Sequence, residues 1–273
     1  DHIMAGHTID ELVPITLDTE AGGASAPRPV LTLTKASTVK TIRQKWLWAD
    51  RIPMDTPSIF AGRGGEGKTT YALDLAAQLT RGELSGEYLG KPSGVLIWSG
   101  EDRAETVLVP RLKAANANLD LVHIVDGVTV GDAVEGLAFP DHMDALKDAI
   151  EQTKAVLVIF DPLTSVTAGD LHKTADVRRT LDRLSEVTRS TGTVVIGIMH
   201  FNKGKGAASD KLSGSHAFRD ATRSLFLFAT DEETGQRIVT QDKSNYAENT
   251  ASSLAFNLVS TIVPTDDGEQ ADV

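Results

Sequence analysis

The chain has 273 residues, of which 41% are hydrophobic, with 23 Gly and 10 Pro. This length and composition suit one large globular domain or two small ones, and exclude disorder, a collagen-like repeat and a coiled coil. Lys and Arg number 27 against 38 Asp and Glu, a formal net charge of -11, whereas dedicated nucleic-acid-binding domains are usually basic. The longest apolar run, around Ala155 to Phe160, stops at Asp161, far short of the roughly 18 residues of a membrane span, so no membrane association is expected. The absence of cysteine excludes disulfides, thiolate metal sites and cysteine nucleophiles, and fits a reducing, cytoplasmic setting. No basic and apolar leader pattern opens the chain, and Asp1 to Met4 read as a remnant ahead of a native Met4.

Residues 1–36 read as a flexible lead-in, because Ala21 to Pro29 is rich in Gly, Ala, Ser and Pro without a period. Val39, Ile42, Trp46 and Leu47 lie near helical spacing and predict a short helix from Thr38 to Trp48. From about Ile52 apolar runs alternate with amphipathic stretches. The runs Pro57 to Ala61, Gly94 to Ser99, Leu121 to Val125, Ala155 to Phe160 and Thr193 to Met199 are rich in Val and Ile, as strands buried on both faces should be. Helices are predicted between them at Lys68 to Thr80, Arg103 to Ala115, His142 to Thr153 and Thr174 to Ser190. The alternation predicts an α/β fold, a mostly parallel central sheet flanked by helices. Asn202 to Ser213 reads as a long Gly- and Lys-bearing loop. Arg223 to Ala229, Gln236 to Asp242 and Ser253 to Val259 read as antiparallel strands closing the C-terminal edge of the sheet. The main domain is expected to span 37–263, and the acidic tail 264–273 to fray.

The strongest signal is Gly62-Arg63-Gly64-Gly65-Glu66-Gly67-Lys68-Thr69, a G-x-x-x-x-G-K-[ST] motif between an apolar strand and an amphipathic helix. Glycines let successive backbone N–H groups turn inward onto phosphate oxygens, and the following helix adds its positive dipole end. Gly62 through Thr70 are therefore candidate nucleotide contacts, with Lys68 reaching the β and γ phosphates and Thr69 offering its hydroxyl to Mg2+. The competing reading, a Gly-rich turn matching by chance, is disfavoured by the strand and helix on either side. The motif points to ATP or a similar nucleotide and says little about the use of its energy.

Two carboxylates could complete such a site. Asp161 ends the strand Val156 to Phe160, where a magnesium-serving carboxylate is expected, although a strand-terminal Asp is also a common capping or turn residue. Glu101 follows the strand Gly94 to Ser99 at the sheet edge where α/β folds place ligands, and is the candidate general base for an attacking water. Neighbouring Asp102 takes the plainer role of favouring a helix N-terminus. His200 closes the strand Thr193 to Met199 at the same edge, where an imidazole can hydrogen-bond a phosphate oxygen. His2, His7, His123, His142, His172 and His216 form no comparable constellation, and no metal site is read from them.

The phosphate loop, Gly100-Glu101-Asp102, Asp161, His200-Phe201-Asn202-Lys203, Ser213-Gly214-Ser215 and Lys243-Ser244-Asn245-Tyr246, in this order and spacing, resemble the RecA-like P-loop ATPases close to the plasmid replicative helicase RepA and the DnaB-type hexameric helicase core. The likeness spans about Trp46 to Asn257. It implies a RecA-like core that assembles as a hexameric ring with ATP between neighbours. It further implies that Glu101 activates water, that Asp161 serves magnesium, and that His200 senses the γ-phosphate and relays it to the following loop. In this family a cation on a late strand reaches the neighbour's site, a role that falls to Lys243. DnaB-type helicases carry Lys-x-Arg there, and Asn245 stands in place of the arginine. Arg223 is a second candidate phosphate contact, with a surface ion pair as its alternative.

Ring helicases of this type hold single-stranded DNA in a central channel. Lys203, Lys205 and Lys211 stand in the stretch Asn202 to Arg219 against Asp210 alone, a basic loop in an acidic chain and a candidate DNA contact, with a solvated loop as the plainer reading. Three functions compete: an ATP-driven single-strand DNA motor in plasmid, phage or mobile-element replication, a non-motor ATP-dependent switch, and a small-molecule phosphotransferase. The last fits least, because Gly82 to Pro92 lacks an arginine-bearing lid.

Overall fold

The Val- and Ile-rich runs assemble into one eight-stranded sheet, in a computed structural model that describes residues 31–171, 173–200, 216–246 and 253–273. The chain divides into a short N-terminal unit ending at Ile42 and a main unit from Arg43 to Val273. In the first unit the described residues hold a single 3-10 turn, Ala36–Thr38.

The main unit begins with a small antiparallel pair, β1 (Trp46–Trp48) and β2 (Ile52–Pro53). The helix expected over Thr38 to Trp48 is not formed. Val39 and Ile42 are exposed and face no core, while Leu47 is buried as the inward residue of a strand, so the apparent helical spacing was coincidental. The sheet follows with β3 (Ser58–Gly62), α1 (Lys68–Arg81), β4 (Gly94–Ser99), α2 (Val109–Ala114), β5 (Val122–Ile124), β6 (Val128–Val130), β7 (Ala133–Glu135), α3 (Met143–Thr153), β8 (Ala155–Asp161), α4 (Leu163–Val166), α5 (Thr174–Thr191), β9 (Val194–His200), α6 (His216–Ala221), β10 (Ser224–Thr230), β11 (Arg237–Ser244), β12 (Leu254–Phe256), β13 (Ile262–Pro264) and β14 (Gln270–Asp272). The spatial order is β12-β11-β10-β3-β9-β8-β4-β5.

Strands β10, β3, β9, β8, β4 and β5 are parallel, and β11 is antiparallel to both β10 and β12. The strand expected over Arg223 to Ala229 is thus parallel to its inner neighbour β3, because the stretch from β9 through α6 is long enough for a crossover. Side chains alternate along the central strands: Leu157 and Ile159 enter one apolar layer with Phe60, Leu73 and Ile198, while Val158 and Phe160 enter the other with Leu146, Leu181 and Leu184. The first layer carries α1 and α2, the second α3, α4 and α5. In α5 the buried Val177, Thr180, Leu181, Leu184, Val187 and Thr188 repeat at helical spacing.

Ahead of α2, a wide helical turn over Ala104–Leu108 replaces the first part of the expected helix, and the regular helix starts beside Pro110, which has no N–H to continue a ladder. The β6–β7 hairpin, turning at Gly131-Asp132, had no counterpart in the sequence reading. The acidic C-terminus pairs as the β13–β14 hairpin instead of fraying, with Thr261 and Val273 exchanging backbone hydrogen bonds of 2.8 and 3.0 Å. Among the described residues no helix is long and apolar enough to cross a membrane.

Candidate functional site

The carboxyl ends of β3, β4, β8 and β9 meet at one sheet edge, because the connection through α1 carries the chain from β3 past the places later filled by β9 and β8. The phosphate loop leaves β3 at Gly62, whose lack of a Cβ is required: a Cβ there would stand 2.6 Å from the Phe228 carbonyl oxygen on β10. Gly65 and Gly67 take φ values of 82° and 86°, the left-handed conformation that favours glycine, and Gly67 immediately precedes α1. Arg63, Gly64 and Gly65 are exposed, Glu66, Thr69 and Thr70 are half-buried, and Thr230 at the end of β10 donates its hydroxyl proton to the Glu66 carboxylate. Lys68 folds back over the loop and is buried, with Nζ donating to the carbonyl oxygens of Gly62 at 3.1 Å and Arg63 at 2.7 Å. Burial pushes its ammonium down to about 8, against the raising pull of Asp161, Glu66 and Glu101.

Thr69 and Asp161 face each other across this edge, with Thr69 Oγ1 donating to Asp161 Oδ2 at 2.5 Å. Asp161 is 4% exposed, and its Oδ1 has no hydrogen-bond partner among the described residues. Burial pushes this carboxyl above its ordinary range, more strongly than the Thr69 hydroxyl and His200 pull it down. A hydroxyl and a buried carboxylate oxygen lacking a partner form a hard oxygen donor set of the kind magnesium accepts together with phosphate oxygens and water. No group of three His, Cys, Asp or Glu side chains suited to a metal occurs among the described residues, so phosphate and water oxygens would supply most of its ligands.

Glu101 is held by the turn after β4. Ser99 Oγ accepts the backbone N–H of Asp102 at 2.9 Å and of Glu101 at 3.4 Å, and the Gly100 N–H donates to the Asp161 carbonyl oxygen at 2.9 Å. The Glu101 side chain is 59% exposed, and its Oε2 lies 3.4 Å from His200 Nε2, which also stands 3.9 Å from Asp161 Oδ1. His200 therefore bridges the two carboxylates. Asp102 pairs with Arg111 of α2 at 3.2 Å, a partner the sequence reading did not foresee.

Arg223 and Lys243 lie elsewhere. β10 runs parallel to β3 with Ser224 opposite Ser58 and Phe228 opposite Gly62, so Arg223 stands about 15 Å from its own phosphate loop, at the other end of the sheet. Lys243 lies opposite Leu225 at that same end, and its Nζ donates to the Arg219 and Asp220 carbonyl oxygens at 2.8 and 3.4 Å. Arg223 is exposed, its carbonyl accepts the Asn245 N–H at 3.1 Å, and its Nη1 reaches the Tyr246 hydroxyl at 3.5 Å. This register holds Arg223 away from the phosphate loop of its own chain. Lys203, Lys205 and Lys211 lie outside the described residues.

Two further features carry no signal in the sequence. One is the Thr230–Glu66 tie. The other is a cavity of about 590 Å3 along the outer flank of α1, starting at Thr70 and closed by α2 and residues 256–261. Its residues are scattered along the sequence, and no local motif marks it. The mostly parallel sheet between two helical layers, with β11 reversed near one edge, is a RecA-like P-loop arrangement of the α/β class. A profile of the AAA domain matches residues 25–206, well over half of the chain, and the chain belongs to this family of P-loop ATPases.

Proposed function

We propose that the chain hydrolyses ATP as one subunit of a hexameric ring, and that the cycle drives movement along single-stranded DNA in plasmid, phage or mobile-element replication. Lys68 binds the β and γ phosphates, and the inward N–H groups of the loop orient them. Thr69 and Asp161 hold magnesium, which when bound neutralises charge on the phosphate oxygens. Glu101 accepts a proton from the attacking water, whose oxygen forms the new bond to the γ phosphorus as the bond to the bridging oxygen breaks and ADP leaves. His200, between the two carboxylates, contacts the γ-phosphate and carries its presence into the loop that follows β9.

The observation that carries the assembly is the place of Arg223 and Lys243, about 15 Å along the sheet from their own phosphate loop, so that they serve the nucleotide of a neighbouring copy. Arg223 is the stronger of the two, since it is exposed and steadied by Tyr246, whereas Lys243 is engaged with the end of α6. A transition-state arginine supplied by a neighbour contributes roughly 10³-fold or more in rate.

The test mixes two inactive chains. Glu101→Gln retains Arg223 and lacks the base; Arg223→Ala retains the base and lacks the cation. Each alone should bind ATP and turn over at least about 10²-fold slower, and an equimolar mixture should recover up to roughly a quarter of wild-type activity, from interfaces that pair a sound site with a sound neighbour. No recovery would remove the shared site. The DNA role is read from ATPase rate with and without single-stranded DNA. Absent stimulation, with nucleotide-dependent partner binding, selects the non-motor switch, the reading favoured by Asn245 where related helicases carry arginine.

A further inference from the structure

We infer that Thr230 is a positioning residue for nucleotide binding: by holding the Glu66 carboxylate at the end of β10, it keeps an anion of the loop's own out of the phosphate seat. This rests on the nucleotide reading of the phosphate loop. Glu66 is the one acidic residue between Gly62 and Thr70. Its carboxylate competes with phosphate by nature, because inward backbone N–H groups and a lysine ammonium bind either anion through the same charge-assisted hydrogen bonds.

The packing around the loop shows why an outside hold is needed. Its two ends are hemmed in: a Cβ at Gly62 would stand 2.6 Å from the Phe228 carbonyl oxygen, and one at Gly67 would stand 3.2 Å from the Phe256 ring and 3.3 Å from Leu258. Its middle is open, since a Cβ at the exposed Gly64 or Gly65 would meet nothing within 4 Å. Glu66 joins the open stretch to the fixed end, with a left-handed glycine on either side, so the local backbone does little to aim its side chain. Thr230 supplies the aim, its hydroxyl donating to Glu66 Oε2. This threonine is the last residue of β10, opposite Arg237 of β11, and Phe228 two residues earlier lies opposite Gly62, so the hydroxyl is presented by the sheet itself. Held there, Glu66 still favours the charged form of Lys68, while the Lys68 ammonium donates to the Gly62 and Arg63 carbonyl oxygens. A carboxylate released from Thr230 has that ammonium and the loop N–H groups as its nearest new partners, and a phosphate must then displace it.

The test is a double-substitution cycle read by the affinities for magnesium ATP and for magnesium tripolyphosphate, which has the phosphates alone. Thr230→Val keeps the β-branched shape of an exposed strand residue and removes the hydroxyl. It should weaken both ligands alike by about three- to tenfold, within the range of coupling between neighbouring side chains, and Thr230→Ser should keep wild-type affinity. In a Glu66→Gln background, which has no carboxylate to compete, Thr230→Val should change either affinity by less than about twofold. In turnover the loss should fall on KM with kcat held, because bound nucleotide has already displaced the carboxylate. An equal loss in both backgrounds would overturn the inference and assign the hydroxyl to loop packing; an affinity untouched by Thr230→Val would overturn it as well. Either result leaves the phosphate loop standing. Tripolyphosphate binding unaffected by Lys68→Ala would instead overturn the phosphate-loop reading, and this inference with it.

Discussion

Lys68 combines burial with a need for charge. Its ammonium titrates near 8 because the loop strips it of water, and phosphate binding favours the charged form. Below about pH 8 the ammonium is already charged and binding needs no proton; above it, binding must take one up. ATP affinity should therefore be flat below about pH 8 and fall by up to about tenfold per pH unit above it, a profile that titration calorimetry in buffers of different ionisation enthalpy would resolve. Asp161 shows the converse. Burial disfavours its charged form, so the folded chain holds a proton to higher pH than the unfolded chain, and the charge is destabilising at neutral pH. Asp161→Asn should raise the stability of the nucleotide-free protein by about 1 kcal/mol in urea unfolding and abolish magnesium-dependent turnover. A stability loss of that size would show that Asp161 serves mainly the fold.

Among the elements, β3 and β10 approach each other closely where the phosphate loop begins. Gly62→Ala would drive a Cβ into the Phe228 carbonyl and should cost about 1–3 kcal/mol with a loss of ATP affinity. Gly64→Ala, two residues on, meets nothing within 4 Å and should change stability by less than about 0.5 kcal/mol. Denaturant titration of the pair separates packing from loop chemistry. The central strands were legible in the sequence because burial on both faces leaves unbroken Val and Ile runs, and the loop because its glycines, lysine and threonine are contiguous. The direction of β10 was not legible, since a strand's apolar pattern is the same either way and the connection decides. β1 reads as helix in the sequence because Val39, Ile42, Trp46 and Leu47 share a spacing without sharing a core. The β13–β14 hairpin was hidden by its acids, which sit in and around a turn where Thr265 bonds Asp267. The cavity needs α1, α2 and β11 through β13 together, so only the folded chain displays it.

For the whole molecule, a net charge of -11 restricts where DNA could touch. Three lysines of one loop, Lys203, Lys205 and Lys211, would give a salt slope for single-stranded DNA of only about -2 in log affinity against log salt. A ring that gathers this loop from several copies should show a steeper slope, and dilution below the assembly threshold should abolish binding; fluorescence anisotropy across salt and protein concentration would show both. A slope near -2 that is independent of assembly would indicate contact through single subunits. In the proposed ring β10 takes on a mechanical meaning. Arg223 precedes this strand, and its last residue, Thr230, holds Glu66 of the phosphate loop. β3 and β11 brace it on either side at Phe228. A push or pull on Arg223 by the nucleotide of a neighbouring copy would reach the Glu66 end along one strand, so that each site would feel the load on the next.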